Sequence, residues 1–188
     1  PGPTHTKSRH RYSPYCCRGG CIAALWRGGC SGVPHCRKKR SGHRKICFYR
    51  FIEPSFVNQR LISISPNKFI DLDLLHALLN SIFVTSQIES LGFGGGLGVL
   101  DINASNIRDG LFIPNINIID NNDAIQIKKL FKIIIMKPII DTIATLDSPE
   151  WIEFNYKIAK SINLPTESVR SAYEHFSRIY TIRKSVGR

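Results

Sequence analysis

The stretch Asp71-Leu-Asp-Leu-Leu-His-Ala-Leu-Leu-Asn-Ser-Ile-Phe83, running on through Glu89-Ser-Leu91 into Gly92-Phe-Gly-Gly-Gly-Leu-Gly98, decides how this chain is read. Leu72, Leu75, Leu79, Ile82 and Phe83 fall on one helical stripe, so a single apolar helix is expected from Asp71 to about Leu91. Asp71 or Asp73 sits at its positive N-terminal end, and Gly92 stops it. His76, Asn80 and Ser81 interrupt the apolar run Leu74–Val84, and lysines flank Ile133–Met136. Neither approaches the roughly twenty apolar residues a membrane-spanning helix needs, so a soluble, cytoplasmic protein with no membrane partner is expected.

The glycine run tests for a phosphate loop and fails. Such loops leave a strand and open a helix, so that backbone N–H groups meet the phosphate. Here the run leaves a helix and enters a β-like segment, Val99–Ile102. Leu97 stands where Gly92 and Gly94 would require a third glycine, and no Gly-Lys-Ser/Thr follows. It reads as a hairpin-like loop whose backbone can approach another surface closely.

Working outward, Ile46–Ile52 and Phe56–Ser65 are β-rich, and Ser65-Pro66-Asn67 closes the second with turn chemistry. Downstream come a turn of helix capped by Asn103 and reaching Arg108, then a strand at Leu111–Ile113 ended by Pro114-Asn115. Asn121, Asn122 and Asp123 offer caps for a helix to about Met136, and Pro138 forces a separate start beyond it. Ser148-Pro149-Glu150 opens a helix to Ser161. Pro165 and Thr166 open a last one, with Val169, Ala172, Tyr173, Phe176, Ile179 and Tyr180 on its buried stripe. The expected fold class is α+β: within residues 51–188, a small mixed strand/helix unit followed by three or four C-terminal helices.

The first fifty residues read differently. They hold twelve of the 26 Lys and Arg, all six cysteines and no acid, so the formal net charge of +12 belongs to them alone. With neither helical nor strand periodicity, they are expected to be largely irregular, disordered or non-native. Three readings stay open. Cys17, Cys21, Cys30 and Cys36, with His35 and His43, could ligate zinc, although neither cysteine pair has the tight spacing of a zinc knuckle. Arg37, Lys38, Lys39, Arg40, Arg44 and Lys45 could neutralise phosphates. The third reading is an out-of-frame or junction translation, in keeping with a chain that starts at Pro1, holds one methionine and reads as a fragment.

No nucleophilic triad is legible. His76 reads as a packing residue within an apolar helix, and His175 lacks a Ser or Cys partner in a recognisable motif. Asp71 and Asp73, two apart, face different directions on a helix.

Four strings taken together resemble a known family. They are Asn58-Gln-Arg-Leu-Ile-Ser-Ile-Ser-Pro66, Asp71 through Phe83, Glu89-Ser-Leu-Gly-Phe-Gly-Gly-Gly-Leu-Gly-Val-Leu-Asp-Ile-Asn103, and Asn106-Ile-Arg-Asp-Gly-Leu-Phe-Ile-Pro-Asn115. With the closing Ile182-Arg-Lys-Ser-Val186, they resemble the C-terminal target-recognition region of adenine-specific DNA methyltransferases of restriction–modification systems. The resemblance begins near Phe56. It implies double-stranded DNA as partner and S-adenosylmethionine as cofactor of the parent enzyme, bound in a catalytic domain missing from this chain. The family's Asn/Asp/Ser-Pro-Pro-aromatic motif is absent, since the sequence holds no Pro-Pro. No catalytic, cofactor-binding or metal residue is therefore expected here. The expected base and phosphate contacts are Gln87, Asn103, Ser105, Asn106 and Arg108, with Gly94, Gly95 and Gly96 for close approach and Arg60 and Lys68 for positioning. Gly95 departs from the basic residue expected there in many relatives, which weakens that loop's contact. The alternative is a non-enzymatic nucleic-acid-binding protein with a basic, zinc-binding arm.

Overall fold

The computed structural model describes residues 21–25, 47–51, 61–64, 70–94, 100–137 and 142–186. The protein is α+β and mostly helical. Its first element is a correction. Cys21–Leu25, within the segment expected to be irregular, is strand β1, centre of a three-stranded antiparallel sheet. β2 (Phe48–Phe51) and β3 (Leu61–Ile64) flank it, with Ala23 opposite both Tyr49 and Ser63. The uncharged five-residue run Cys-Ile-Ala-Ala-Leu was masked by the surrounding arginines and cysteines. The sheet thus draws strands from both sides of the break at residue 50. The strands expected over Ile46–Ile52 and Phe56–Ser65 are found, shorter, as β2 and β3.

The helix expected from Asp71 to Leu91 is two helices. Helix α1 (Leu72–Leu79) is capped by Asp71, whose carboxylate accepts from the Asp73 and Leu74 N–H groups at 3.0 Å each. Asn80 ends it, and extended Ser81 caps α2 (Ile82–Leu91), its Oγ accepting from Val84 N–H at 3.4 Å. Both residues at the break are buried, so their polar groups must find partners inside the protein. Phe48 N–H donates to Asn80 Oδ1 and Asn80 Nδ2 donates back to Phe48 C=O, each at 3.1 Å. The side-chain amide thereby continues the sheet's hydrogen-bond ladder onto the helix. The Ile82 N–H, left without a helical acceptor, donates to Asn155 Oδ1 at 2.9 Å.

Among the described residues from 121 onward there are four helices. Helix α4 (Asn121–Ile135) is capped by Asp120, one residue before the expected caps, and its carboxylate accepts from Asp123 N–H at 2.8 Å. Helix α5 is Thr142–Leu146, and α6 (Pro149–Ser161) begins and ends where the sequence predicts. Asn163 takes φ of 56° after α6, and Leu164 N–H donates to Ala159 C=O at 2.8 Å, the geometry of a Schellman stop. Helix α7 spans Thr166–Val186. Among the described residues no helix is long and apolar enough to cross a membrane.

Because α1 is apolar on two faces, it sits between two cores. Leu74, Ala77 and Leu78 join Ile127, Phe131, Trp151, Phe154, Ile158, Phe176 and Tyr180 from α4, α6 and α7. Leu75 and Leu79 join Phe48, Val84, Ile88 and Ile107. Asn155, fully buried, crosses the first core: its Nδ2 donates to Trp151 C=O at 2.8 Å and to Tyr173 Oη at 2.9 Å, and Tyr173 donates to Leu146 C=O at 2.9 Å. One amide therefore ties α2, α5, α6 and α7 together.

Asn155→Leu keeps the volume but orphans the Ile82 N–H, at a cost of about 1–3 kcal/mol for that buried donor alone. Urea unfolding should show a lower midpoint with an unchanged slope. A loss below about 0.5 kcal/mol, the range of ordinary surface changes, would show that the network does not hold the helices.

Candidate nucleic-acid interface

The glycine run begins where α2 ends. Gly92 N–H donates to Ile88 C=O at 3.1 Å, and a Cβ at Gly92 would lie 2.4 Å from Leu100 Cδ1 and 2.7 Å from its Cγ. Glycine is required there because Leu100 packs directly on the backbone. β4 (Phe93–Gly94) and β5 (Leu100–Asp101) pair antiparallel, Phe93 with Asp101 and Gly94 with Leu100. The hairpin expected from the glycine run is thus present. Gly94 lies in β4, whereas Gly95 and Gly96 lie outside the described residues, as do Arg60 and Lys68.

Helix α3 (Ala104–Gly110) follows directly. Its inner side is fixed on the end of α2: Asn106 Nδ2 donates to Leu91 C=O at 3.1 Å, Ile107 is buried, and Gly110 lies against Leu91, whose Cδ2 would come within 2.6 Å of a Cβ. Its outer side is open. Asn103 stands at the cap position with no side-chain cap hydrogen bond, and Asn103, Ser105 and Arg108 are all exposed. The Arg108 guanidinium meets Asp109 at 2.9 Å across solvent, a pair weak enough to exchange for another anion.

Gln87 does different work from that expected. Its Nε2 donates to Phe83 C=O at 3.1 Å and to Phe112 C=O at 3.0 Å, while its Oε1 accepts from Phe112 N–H at 2.9 Å. Both ends of the amide are committed to the fold. The strand expected at Leu111–Ile113 is correspondingly a single extended segment paired with a side chain. Of the ten predicted contacts, the geometry leaves Asn103, Ser105 and Arg108 each exposed and turns Gln87 and Asn106 inward. It also presents Phe112, 77% exposed on a backbone clamped by Gln87. Nothing in the sequence pattern separates this phenylalanine from the buried ones.

Two contacts tie α2 to α7. Glu89 and Arg183, far apart in sequence, form a nearly buried ion pair through Arg183 Nε, joining the string before the glycine run to the closing Ile182-Arg-Lys-Ser-Val186. Burial pushes the Glu89 carboxyl above its ordinary range, and Arg183 opposes that shift. Ser90 Oγ lies 2.7 Å from His175 Nε2, the serine partner that sequence reading did not find. The same hydroxyl also reaches Ser86 C=O at 3.0 Å, a second acceptor for its one proton.

A second concavity, of about 580 Å³, opens between β2, α1, α4, α5 and α6. Tyr49 lines it, its phenol pushed up to about 12 by burial and by neighbouring Cys47. His76 Nε2, 2.8 Å from Phe48 C=O, donates to it, and burial, reinforced by Arg50, holds the imidazole below its usual pKa. Among the described residues no group of three His, Cys, Asp or Glu side chains could hold a metal ion. Of the zinc candidates Cys17, Cys21, Cys30, Cys36, His35 and His43, only the backbone of Cys21 is described. No family model, no curated protein sequence and no solved structure matches the chain.

Tyr173, like Tyr49, has its phenol raised to about 12, mainly by burial, with Asn155 opposing. Each folded phenol holds its proton to a higher pH than the unfolded one. The stability they contribute is therefore complete below pH 10 and is lost as pH rises from 10 toward 12. In a phenolate titration of the folded protein Tyr49 and Tyr173 should ionise late, and Tyr173→Phe should remove one late step. Titration of every tyrosine near pH 10 would contradict the burial of both rings.

Proposed function

We propose that the chain is a DNA target-recognition region of a site-specific adenine methyltransferase of a restriction–modification system, working with a separate catalytic domain that binds S-adenosylmethionine. The observation that carries this reading is α3. The helix is fastened by Asn106, Ile107 and Gly110 to the end of α2, while Asn103, Ser105 and Arg108 are each exposed. That is what direct readout of a duplex needs: polar side chains that fork onto base edges, on a support that does not yield. An enzyme that extrudes its target base must read the neighbouring bases with a module other than the catalytic pocket. The string resemblance suggests the chemistry of the parent enzyme, and because the chain holds no Pro-Pro motif the proposal assigns catalysis to the partner domain.

The residues from 51 onward balance fourteen basic against fourteen acidic side chains, so this module contributes little phosphate-driven affinity by itself. Its contribution would be selectivity. The basic N-terminal segment offers the charge, and this keeps in view the second reading, a non-enzymatic nucleic-acid binder.

Fusing the chain to a catalytic half of the family should restore protection of DNA at a defined adenine site. In such a fusion Asn103→Ala or Arg108→Ala should each lower discrimination at one base position by about 1–3 kcal/mol. Stability should shift by no more than about 0.5 kcal/mol, because both side chains are exposed. Several fusions that fold yet methylate without site preference would overturn the proposal.

A further inference from the structure

The cavity between β2, α1, α4, α5 and α6 lies apart from α3, and the recognition reading makes no use of it. Its volume, about 580 Å³, falls in the range that encloses a small organic ligand. Its walls are mostly hydrocarbon. Phe48, Phe131, Trp151, Ile134, Ile135 and Ala144 line it, and the Phe131–Phe154 stack and the edge-to-face Trp151–Phe154 contact keep Phe131 and Trp151 from collapsing inward.

The charges at the cavity are already matched. Arg50 pairs with Asp73, and Lys137 Nζ lies 2.5 Å from Glu150 Oε1. A charged ligand would have to break one of these pairs, whereas an uncharged one would not. One polar group of the lining is an unmatched donor. Arg50 Nε–H is buried with no hydrogen-bond partner, whereas the Tyr49 phenol is bonded to Cys47 and the Ser148 hydroxyl to Glu150. Asn80 offers nothing further, since its amide is held by Phe48 and His76. A buried donor without an acceptor costs about 1–3 kcal/mol, and a ligand acceptor beside Arg50 would recover part of that.

We propose that this cavity is a binding site for an uncharged, planar aromatic molecule with a carbonyl or ring-nitrogen acceptor at one end, the acceptor directed to Arg50 and the ring lying between Phe131, Trp151 and Ala144. The proposal does not depend on DNA recognition, and it holds whether or not that reading survives.

Coumarin is a suitable probe, being neutral, flat and tipped with a carbonyl; naphthalene has a similar shape without the acceptor. The full chain carrying Trp26→Phe leaves Trp151 as its single tryptophan, whose emission reports occupancy. Coumarin should quench it saturably, and it should slow alkylation of Cys47, a lining residue 8% exposed. Ala144→Phe, on the exposed side of α5, should fill the cavity and weaken binding by about tenfold or more. Arg50→Met should weaken coumarin by about tenfold, roughly one lost hydrogen bond, and leave naphthalene unchanged. Circular dichroism confirms that each variant is folded. Binding that is not saturable, that survives Ala144→Phe, or that falls equally for both probes on Arg50→Met would overturn the proposal. So would tighter competition by myristate, which would mark the cavity as an aliphatic site.

Discussion

At the break between α1 and α2 the backbone N–H of Ile82 has no helical acceptor, and Asn155 supplies one from a position fully shielded from water. The same amide reaches the Trp151 carbonyl and the Tyr173 hydroxyl, and Tyr173 reaches the Leu146 carbonyl. Helices α2, α5, α6 and α7 are thus all referred to one buried carboxamide. A hydrocarbon core is tolerant of small rotations, but a buried amide with three directional bonds is not, because each missed bond leaves a desolvated dipole. The network fixes the angle at which α2 leaves α1, and with it the position of everything built on the end of α2.

Side-chain amides recur as substitutes for missing strands. Asn80 exchanges two hydrogen bonds with the backbone of Phe48, and Gln87 does the same with Phe112. A carboxamide presents a donor and an acceptor side by side, as a peptide group does, so it can close the edge of an extended segment without another strand. This explains how a four-residue β2 docks on a helix, and why Leu111–Ile113 stays extended with no neighbouring strand. It also explains why the Leu78-Leu-Asn-Ser81 element reads as part of a helix and yet ends one. The apolar period continues through it, while Asn80 and Ser81 take the backbone out of register.

Local chemistry made much of the fold legible. Asp71, Ser148-Pro149 and Pro165-Thr166 mark helix starts by mechanisms that act within one turn, and the structure puts α1, α6 and α7 where those residues indicate. What escaped the sequence depends on partners distant along the chain. The break at Asn80 requires Phe48 and Asn155, the inward turn of Gln87 requires Phe112, and β1 requires two strands that close on it from later residues. For the candidate interface, composition identified the polar residues of the α3 region but not which side of α3 faces out. That was decided by Leu91, which fills the space beside Gly110 and takes the Asn106 amide.

Glu89 and Arg183 show how this geometry bears on the proposed recognition. A nearly buried ion pair is poor as a source of net stability, because desolvation offsets much of the attraction, but removing either partner strands the other. The pair therefore acts as a constraint on register, holding the C-terminal turns of α7 against the last turn of α2. The glycine hairpin and α3 leave from that same turn. A base-reading face displaced by an ångström loses its forked hydrogen bonds while keeping its phosphate contacts, since charge attraction is far less directional. In a module whose own charges cancel, little nonspecific affinity would compensate for such a slip. Rigidity at the end of α2 is therefore the physical condition on which any selectivity of α3 depends, and the ion pair and the Asn155 network impose it from opposite ends of that helix.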